Sequence, residues 1–333
     1  MINDLESYLK DVEPVNLKEL EEVVETKVLD SAGREKQQEI KIRENPAFVS
    51  KSRIAPEREL RPMEISEELK PRLLADCYFC NPEKCAKFAP ETGLKEQYFL
   101  NATMAFSNLF PSGGIHGVVV YNYKEHIVDP RGLTLENIRD GLALVKQVGE
   151  ESKKKYVSSN INCGSKAAAS IEHFHGQFHC EDKPIARTAL SLCKNKNWWK
   201  SWVRAMNQEG LVIDFDADSK TVLYAEWSPA FGKTELVVMN LENSSFMMNE
   251  KEIDAVARFL QKAIKVTCEI SDQFNVINLS ASKDDDYCNQ FRIVPRSPSS
   301  QALKSWEGYL ELAGETVPHI HPQKLVELAK QLG

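Results

Sequence analysis

Apolar residues in the first half of the chain follow two spacings, one typical of strands and one typical of helices. The β-branched run at 117–122 predicts a buried strand. Apolar residues then recur at helical spacing from Leu135 to Val148, and Thr134 is placed to cap the start of that helix. A further strand is predicted at 159–162. The pattern therefore predicts a strand, a helix and a strand, in that order.

The second half of the chain repeats this order. A strand is predicted at 235–240, a helix from Asn249 onwards, and two further strands at 274–279 and 290–295. Corresponding residues of the two halves are 116 to 118 positions apart. We therefore predict an internal duplication and an α+β fold, in which two tandem units have mostly antiparallel sheets with helices packed on one face.

The duplication sets the predicted domain boundaries. An acidic N-terminal extension covers 1–38, the first unit covers 39–195, and the second unit covers 196–333. We expect the extension to be solvated and partly helical. Four apolar residues are candidates to dock it on the body of the protein: Leu17, Leu20, Val23 and Val24.

Composition places the chain among soluble globular proteins. Its 333 residues are 42% hydrophobic and 27% charged, enough for a large core or for two domains. No apolar run approaches the roughly eighteen residues needed to span a bilayer, and the N-terminus lacks an apolar signal core, so we expect no membrane association. Eight cysteines without an export signal indicate a reducing compartment, and we expect a cytoplasmic protein.

Charge is unevenly distributed along the chain. The net charge is −7, and residues 1–30 hold nine acidic residues against three lysines. The rest of the chain is therefore nearly neutral. A nucleic-acid-binding protein would carry a basic excess, so we expect no nucleic-acid partner.

The segment 173–177 carries the chain's most reactive pattern. His173, His175 and Gln177 stand at alternate positions, so on a strand their side chains face the same way, and Phe174 faces a core. A neutral imidazole can attack phosphorus, a neighbouring imidazole can hold a metal, and an amide can donate to a phosphoryl oxygen without adding charge. The pattern favours phosphate chemistry.

A pair of cysteines indicates a metal site. Cys77 and Cys80 form a C-x2-C pair, the usual first half of a tetrahedral zinc site. No second pair follows, so the other ligands must lie far along the chain, and His126 and His173 are the candidates. A Zn²⁺ ion with four protein ligands keeps no open position and is structural. The alternatives are two buried thiols, or a ligand set completed from these residues: Cys85, Cys163 and His116.

Four blocks of residues carry a resemblance to a known family. They lie at 43–62, with its paired arginines, at 77–80, at 162–177 and at 308–313. Together they resemble the galactose-1-phosphate uridylyltransferase family, the transferase branch of the histidine-triad superfamily. The resemblance runs from about residue 40 to about residue 320, so each predicted unit would be histidine-triad-like and the second one degenerate.

The resemblance implies roles for individual residues. It makes His175 the nucleophile and Gln177 the amide that holds the transferred phosphoryl group. It makes Cys77, Cys80, His126 and His173 the zinc ligands. Arg58, Arg61, Asn162 and Ser170 would contact substrate phosphates. The mechanism that these roles imply adds the backbone amides near Gly164, which would meet the charge on the phosphoryl oxygens, and Lys166, which would offset substrate charge.

The chain departs from the family pattern at several positions. Ile171 and Glu172 stand where the family has Asn-Pro, and Leu310 stands where the uridylyltransferases use a Glu to bind the hexose. The segment 99–103 lacks the family's base-contacting Asn-Asp. Gln290 and Arg292 replace second-half histidines that bind iron in some members. These changes leave the base and the sugar open.

The function that the resemblance implies is nucleotidyl transfer. A nucleoside monophosphate would pass from a nucleoside diphosphate sugar to a sugar 1-phosphate through a covalent nucleotidyl-histidine, in a homodimer. The first alternative is a phosphorylase that uses inorganic phosphate on nucleotide sugars or dinucleoside polyphosphates, which Leu310 favours. The second is a non-catalytic nucleotide sensor.

Overall fold

A computed structural model of the protein describes most of the chain. The described residues are 2–29, 35–54, 77–109, 111–112, 115–232, 234–296, 315–316 and 321–332. Arg58, Arg61, Leu310 and the resemblance block at 308–313 lie outside them.

The described chain contains both strands and α-helices. The strands are β1 (Glu21–Leu29), β2 (Glu35–Asn45), β3 (Ser50–Ile54), β4 (Gln97–Leu100), β5 (Thr103–Ser107), β6 (Ile115–Val120), β7 (Tyr156–Cys163), β8 (His175–Glu181), β9 (Val212–Asp216), β10 (Thr221–Ala225), β11 (Leu236–Asn240), β12 (Phe274–Leu279), β13 (Gln290–Pro295) and β14 (Glu315–Thr316). The α-helices are α1 (Ile2–Tyr8), α2 (Leu135–Ser152), α3 (Ala186–Ser191), α4 (Lys196–Gln208), α5 (Glu250–Cys268) and α6 (Pro322–Gln331). The predicted α+β class is confirmed.

One ten-stranded sheet organises the molecule. Its order is β4-β5-β6-β8-β7-β12-β13-β11-β10-β9, and its neighbouring strands are antiparallel. Counted outwards from the contact between β7 and β12, the two halves of the sheet have the same strand order. Each half consists of three strands, a long helix (α2 or α5) and two further strands. Duplication of one unit stays a prediction, and this order is consistent with it.

The long helices begin where the sequence predicts. Thr134 caps α2 and Asn249 caps α5, and each forms a capping box with the residue three positions on. The two helices pack against each other and against the sheet. Most of the predicted apolar face of α2 is buried, but Leu135 at its start is 39% exposed.

The N-terminal segment differs from the predicted extension. β1 pairs along its whole length with β2, which crosses the predicted boundary at residue 38. Residues 21–29 are therefore a strand, and the helical structure among the described residues of this segment is α1 and the 3₁₀ turn Leu17–Leu20. Leu5, Leu9 and Leu17 are buried in the main core, whereas Val23 is 52% exposed. Alternate positions of a hairpin strand face solvent, which explains the exposed valine.

The two faces of the first half-sheet have different cores. Val119 and Phe178 belong to the main core, which includes the buried face of α2. Val118 and Val120 point the opposite way and form a smaller core with Phe79. This second face bears the candidate site. Among the described residues, no helix combines the length and the hydropathy that crossing a membrane requires.

Candidate active site and metal centre

The reactive segment lies at the start of β8. The strand begins at His175, so His173 and Phe174 belong to the bend that precedes it. The expectation that His173 shares the strand with the other two residues is therefore wrong, because the chain turns before the ladder starts. His175 pairs with Val120, and Gln177 pairs with Val118. His175 and Gln177 thus share the face of the smaller core, and Phe174 is buried in the main core as predicted.

The hydrogen bonds of His175 define its tautomer. Its Nδ1 lies 2.7 Å from the carbonyl oxygen of His173, an atom that can only accept. Nδ1 therefore carries the proton, and Nε2 keeps its lone pair. Burial lowers the pKa of His175, which favours the neutral ring. The edge of Phe79 packs against this ring, with centroids 4.8 Å apart.

His175 opens onto a cavity although its side chain is only 4% exposed. The cavity has a volume of about 240 Å³, and its lining residues are Tyr78, Phe79, Ala86, Phe106, Asn108, Leu109, Val118, Ser170, Ile171, His175 and Gln177. Aromatic and aliphatic walls suit a flat apolar group, and the imidazole, amide and hydroxyl suit a phosphate attached to it. One of the departures from the family pattern, Ile171, is part of the wall.

Asparagines of β7 extend the polar face across the next strand. Asn160 stands opposite Gln177, and Asn162 follows on the same face. Asn275 of β12 donates from Nδ2 to Asn162 Oδ1 over 2.8 Å, and to the carbonyl oxygen of Ala167 over 2.9 Å. The second half of the chain thus positions the predicted phosphate contact Asn162. Sequence reasoning missed Asn160, although its spacing from Asn162 signals the shared face.

Several backbone amides of the loop between β7 and His173 already have hydrogen-bond acceptors within the protein. Gly164 has a φ of +85°, and a Cβ there would lie 2.5 Å from Gln273. The Lys166 amide donates to Gln273 Oε1 over 2.7 Å, and the amides of residues 167–169 donate to carbonyl oxygens of the loop. The amides of residues 166–169 are thus engaged within the protein, and the contact of a phosphate with amides near Gly164 stays a prediction. Ser170 is exposed beside the cavity, and burial lowers the pKa of the half-buried Lys166.

Four side chains converge beside this cavity. Cys77, Cys80, His126 and His173 place their ligand atoms within 4.8 Å of one another. The Cys77 and Cys80 sulfurs each lie 3.4 Å from His173 Nδ1, and the Cys80 sulfur lies 3.4 Å from His126 Nδ1. A tetrahedral ion with bonds of about 2.0–2.3 Å would place its sulfur and nitrogen ligands roughly this far apart. The cluster fits a metal ion, as the sequence predicts.

A backbone hydrogen bond orients His173 for a metal. Its Nε2 donates to the carbonyl oxygen of Asn122 over 2.8 Å, which leaves Nδ1 free to ligate. Burial lowers the pKa of His173 to about 4, so the ring is neutral. Cys85 lies outside the cluster, with its sulfur 3.5 Å from the carbonyl oxygen of Tyr78. The alternative ligand sets are not assembled among the described residues.

The metal cluster shares its loop with the cavity wall. Tyr78 and Phe79 line the cavity and lie between the two cysteine ligands in sequence. A bound metal would therefore fix the wall of the cavity and the bend before His175 at the same time.

Removing one ligand tests this arrangement. We expect Cys80→Ser to weaken metal binding by at least about a hundredfold, since loss of outer-shell partners alone costs 10–100-fold. The thermal midpoint should fall as well, because metal binding contributes to folding. Cys193→Ser, at an exposed cysteine outside the cluster, is the matched control. Elemental analysis and competition with a chelator measure both variants. Full metal content in Cys80→Ser would refute this ligand set.

The second half-sheet carries a buried charge cluster instead of histidines. Arg292 is fully buried and ion-pairs with Glu226 at 3.1 Å and Glu235 at 2.7 Å. Its Nε donates to Gln290 Oε1 over 2.8 Å. Burial raises the pKa of Glu226 to about 7. Sequence reasoning placed Gln290 and Arg292 correctly on a strand and missed both carboxylates.

Comparisons with known proteins agree at the level of the fold. No protein-family model matches the chain, and no curated protein matches it in sequence. Among solved structures, it is similar to an ADP-glucose phosphorylase from Arabidopsis thaliana with bound ADP-glucose, with a TM-score of 0.66 and 16% identity, covering 88% of this chain and 99% of that one.

Two further structures give the same result. A GalT-like protein from Arabidopsis thaliana has a TM-score of 0.64 and 16% identity, covering 87% of this chain and 98% of that one. A uridylyltransferase structure has a TM-score of 0.59 and 15% identity, covering 87% and 97%. The chain is an α+β protein of mixed helix and antiparallel sheet. Its particular fold is that of the GalT-like structures, which bears out the resemblance read from the four blocks.

Proposed function

We propose that the protein is a nucleotidyltransferase that works through a covalent nucleotidyl-histidine at His175. One observation carries the proposal. The Nδ1–H of His175 is held by a backbone carbonyl, so Nε2 has a free lone pair in a ring that lines the cavity. Gln177 lies two residues on, with its amide on the same wall. A neutral nucleophile beside an uncharged donor suits attack on an anionic phosphate.

The reaction consists of two displacements. His175 Nε2 attacks the α-phosphorus of a nucleoside diphosphate sugar, the bond from that phosphorus to the bridging oxygen breaks, and a sugar 1-phosphate leaves with the electron pair. The oxygen of a second phosphate then attacks the same phosphorus, and the phosphorus–nitrogen bond breaks. Gln177 and Ser170 stabilise the charge that develops on the phosphoryl oxygens. Loss of one such donor typically costs about 10²–10³ in rate.

Cations and a metal complete the proposed site. Arg58 and Arg61 offset the substrate phosphates, since Arg binds phosphate through two parallel hydrogen bonds, and Lys166 adds a point charge. The Cys77–Cys80 pair with His126 and His173 would hold Zn²⁺, because two thiolates and two imidazoles are a typical structural zinc set. Its contribution there would be rigidity. The working form is a homodimer in the cytoplasm.

Inorganic phosphate is the rival acceptor. Leu310 offers no carboxylate to bind a hexose, and a phosphorylase needs none for its acceptor. One of the similar structures is an ADP-glucose phosphorylase with bound ADP-glucose. The donor classes to compare are therefore uridine and adenosine diphosphate sugars and dinucleoside polyphosphates.

A labelling experiment tests the proposed function. The protein is incubated with α-³²P-labelled nucleotide anhydrides, and we expect acid-labile, base-stable label on the protein from at least one donor. Release of the label by phosphate alone selects the phosphorylase, and release by a sugar 1-phosphate selects the transferase. Tight nucleotide binding without label from any donor would refute catalysis and favour the sensor.

A further inference from the structure

A second pair of histidines lies directly behind Gln177. His116 of β6 stands opposite His179 of β8, and their rings stack with centroids 4.0 Å apart. His116 is buried, and its Nε2 lies 2.9 Å from Gln177 Oε1. His116 is not among the residues that line the cavity around His175. It therefore reaches the reacting groups through Gln177.

A backbone amide fixes the tautomer of His116. The N–H of Ser112 donates to His116 Nδ1 over 3.0 Å. A backbone N–H cannot accept, so Nδ1 must be the unprotonated nitrogen. The neutral ring then carries its proton on Nε2, and this N–H donates to Gln177 Oε1. The Asn108 carboxamide lies 3.2 Å from the same Nε2, and half a turn of its amide group presents its oxygen there.

The tautomer decides which end of the Gln177 amide enters the cavity. A carboxamide has one oxygen and one NH₂ group, and the oxygen is held by His116. The NH₂ group is then left to face the space beside His175. With the amide reversed, an oxygen would face the phosphoryl group and repel its charge. The hydrogen bonds from Ser112 to His116 and from His116 to Gln177 thus place a hydrogen-bond donor where negative charge develops on the phosphoryl oxygens.

We propose that His116 is a positioning residue that holds Gln177 with its NH₂ group toward the substrate phosphate. The proposal rests on the proposed function, since it assigns a purpose to that amide. His179 supports the arrangement, because its Nε2 lies 3.0 Å from the Ser112 hydroxyl and its ring packs on His116. Burial lowers the pKa of His179 to about 4, so this packing brings no second charge to His116.

Two substitutions of His116 separate positioning from packing. His116→Phe keeps a flat ring in the stack and removes both nitrogens. His116→Gln loses the ring but keeps an NH₂ donor at a similar reach and an oxygen that accepts from Ser112. We expect His116→Phe to slow single-turnover labelling of His175 by about 10²-fold. The labelling rate of His116→Gln should exceed that of His116→Phe by at least about tenfold.

A double-mutant comparison and a spectrum decide the result. In a Gln177→Ala background, His116→Phe should change the labelling rate by less than about threefold, because its effect passes through that amide. Imidazole ¹⁵N shifts of the wild type should show His116 protonated on Nε2. Protonation on Nδ1, or an equal loss from His116→Phe with and without Gln177, would overturn the proposal. Failure of the wild type to label refutes the proposed function instead, and the ¹⁵N spectrum still decides the tautomer.

Discussion

His175→Ala is expected to abolish labelling and to lower turnover by at least about 10⁴-fold, since removal of a nucleophile has cost as much as about 10⁶-fold in a well-studied hydrolase. In the proposed reaction, the lone pair on Nε2 forms the bond to phosphorus. Among the described residues, no other imidazole combines a free nitrogen with a place on the cavity wall. The substitution leaves the other lining residues of the cavity, Gln177 and Ser170 among them, in place, so we expect the loss to fall on turnover more than on affinity.

The control for His175→Ala is the metal cluster beside it. His175 is not one of the four clustered ligands, so the variant should keep the metal content of the wild type. Substrate affinity can be followed by equilibrium binding of the unlabelled donor. A variant that keeps its metal, binds the donor and still turns over at the wild-type rate would rule out His175 as the nucleophile.

Arg292→Met is expected to destabilise the protein by about 3–5 kcal/mol, the usual cost of removing one partner from a buried charge cluster. Glu226 and Glu235 are fully buried with it, and the substitution leaves both carboxylates without their cation. The free energy of unfolding of a native protein is only about 5–15 kcal/mol, so the substitution would remove a substantial fraction of the stability. Urea titration followed by tryptophan fluorescence measures the change.

Two matched proteins isolate the electrostatic cause. Arg139→Met removes an arginine whose ion pair with Asp254 is about half exposed, and it should cost less than about 1 kcal/mol. Adding Glu226→Gln and Glu235→Gln to Arg292→Met should restore part of the loss, because the uncompensated charges are gone. If Arg139→Met and Arg292→Met cost the same, charge burial is not what makes the cluster important.

Local signals made the secondary structure predictable. Thr134 is identified as a cap because a short polar side chain before a helical pattern satisfies the first free amides, and the helical spacing of apolar residues places the start of α5 near Asn249. The strands at 274–279 and 290–295 were predicted at their observed bounds, since β-branched and aromatic residues mark a half-buried ladder. Each of these signals lies within a few consecutive residues, so it can be read from the sequence without knowledge of the fold.

Contacts between distant residues limited the prediction of the site. The C-x2-C pair predicts a metal site whose other ligands lie far along the chain, and His126 and His173 are the candidates that the resemblance also implies. The hydrogen bonds that link Ser112, His116 and Gln177 depend on the pairing of β6 with β8. No local sequence pattern reveals that pairing. Arg292 was interpreted as a strand residue without its carboxylates, because Glu226 and Glu235 meet it only through sheet register. The strand that contains Val23 is not predicted, because the acidic composition of residues 1–30 favours a solvated segment.

Mass spectrometry of the intermediate tests the central claim most directly. The protein is quenched at alkaline pH after one turnover with an unlabelled donor, digested, and its peptides are fragmented. The account predicts one nucleoside monophosphate added to the peptide that contains His175, on the imidazole itself, and its disappearance when acceptor is supplied. Turnover with no such adduct, or an adduct on any other side chain, would contradict it.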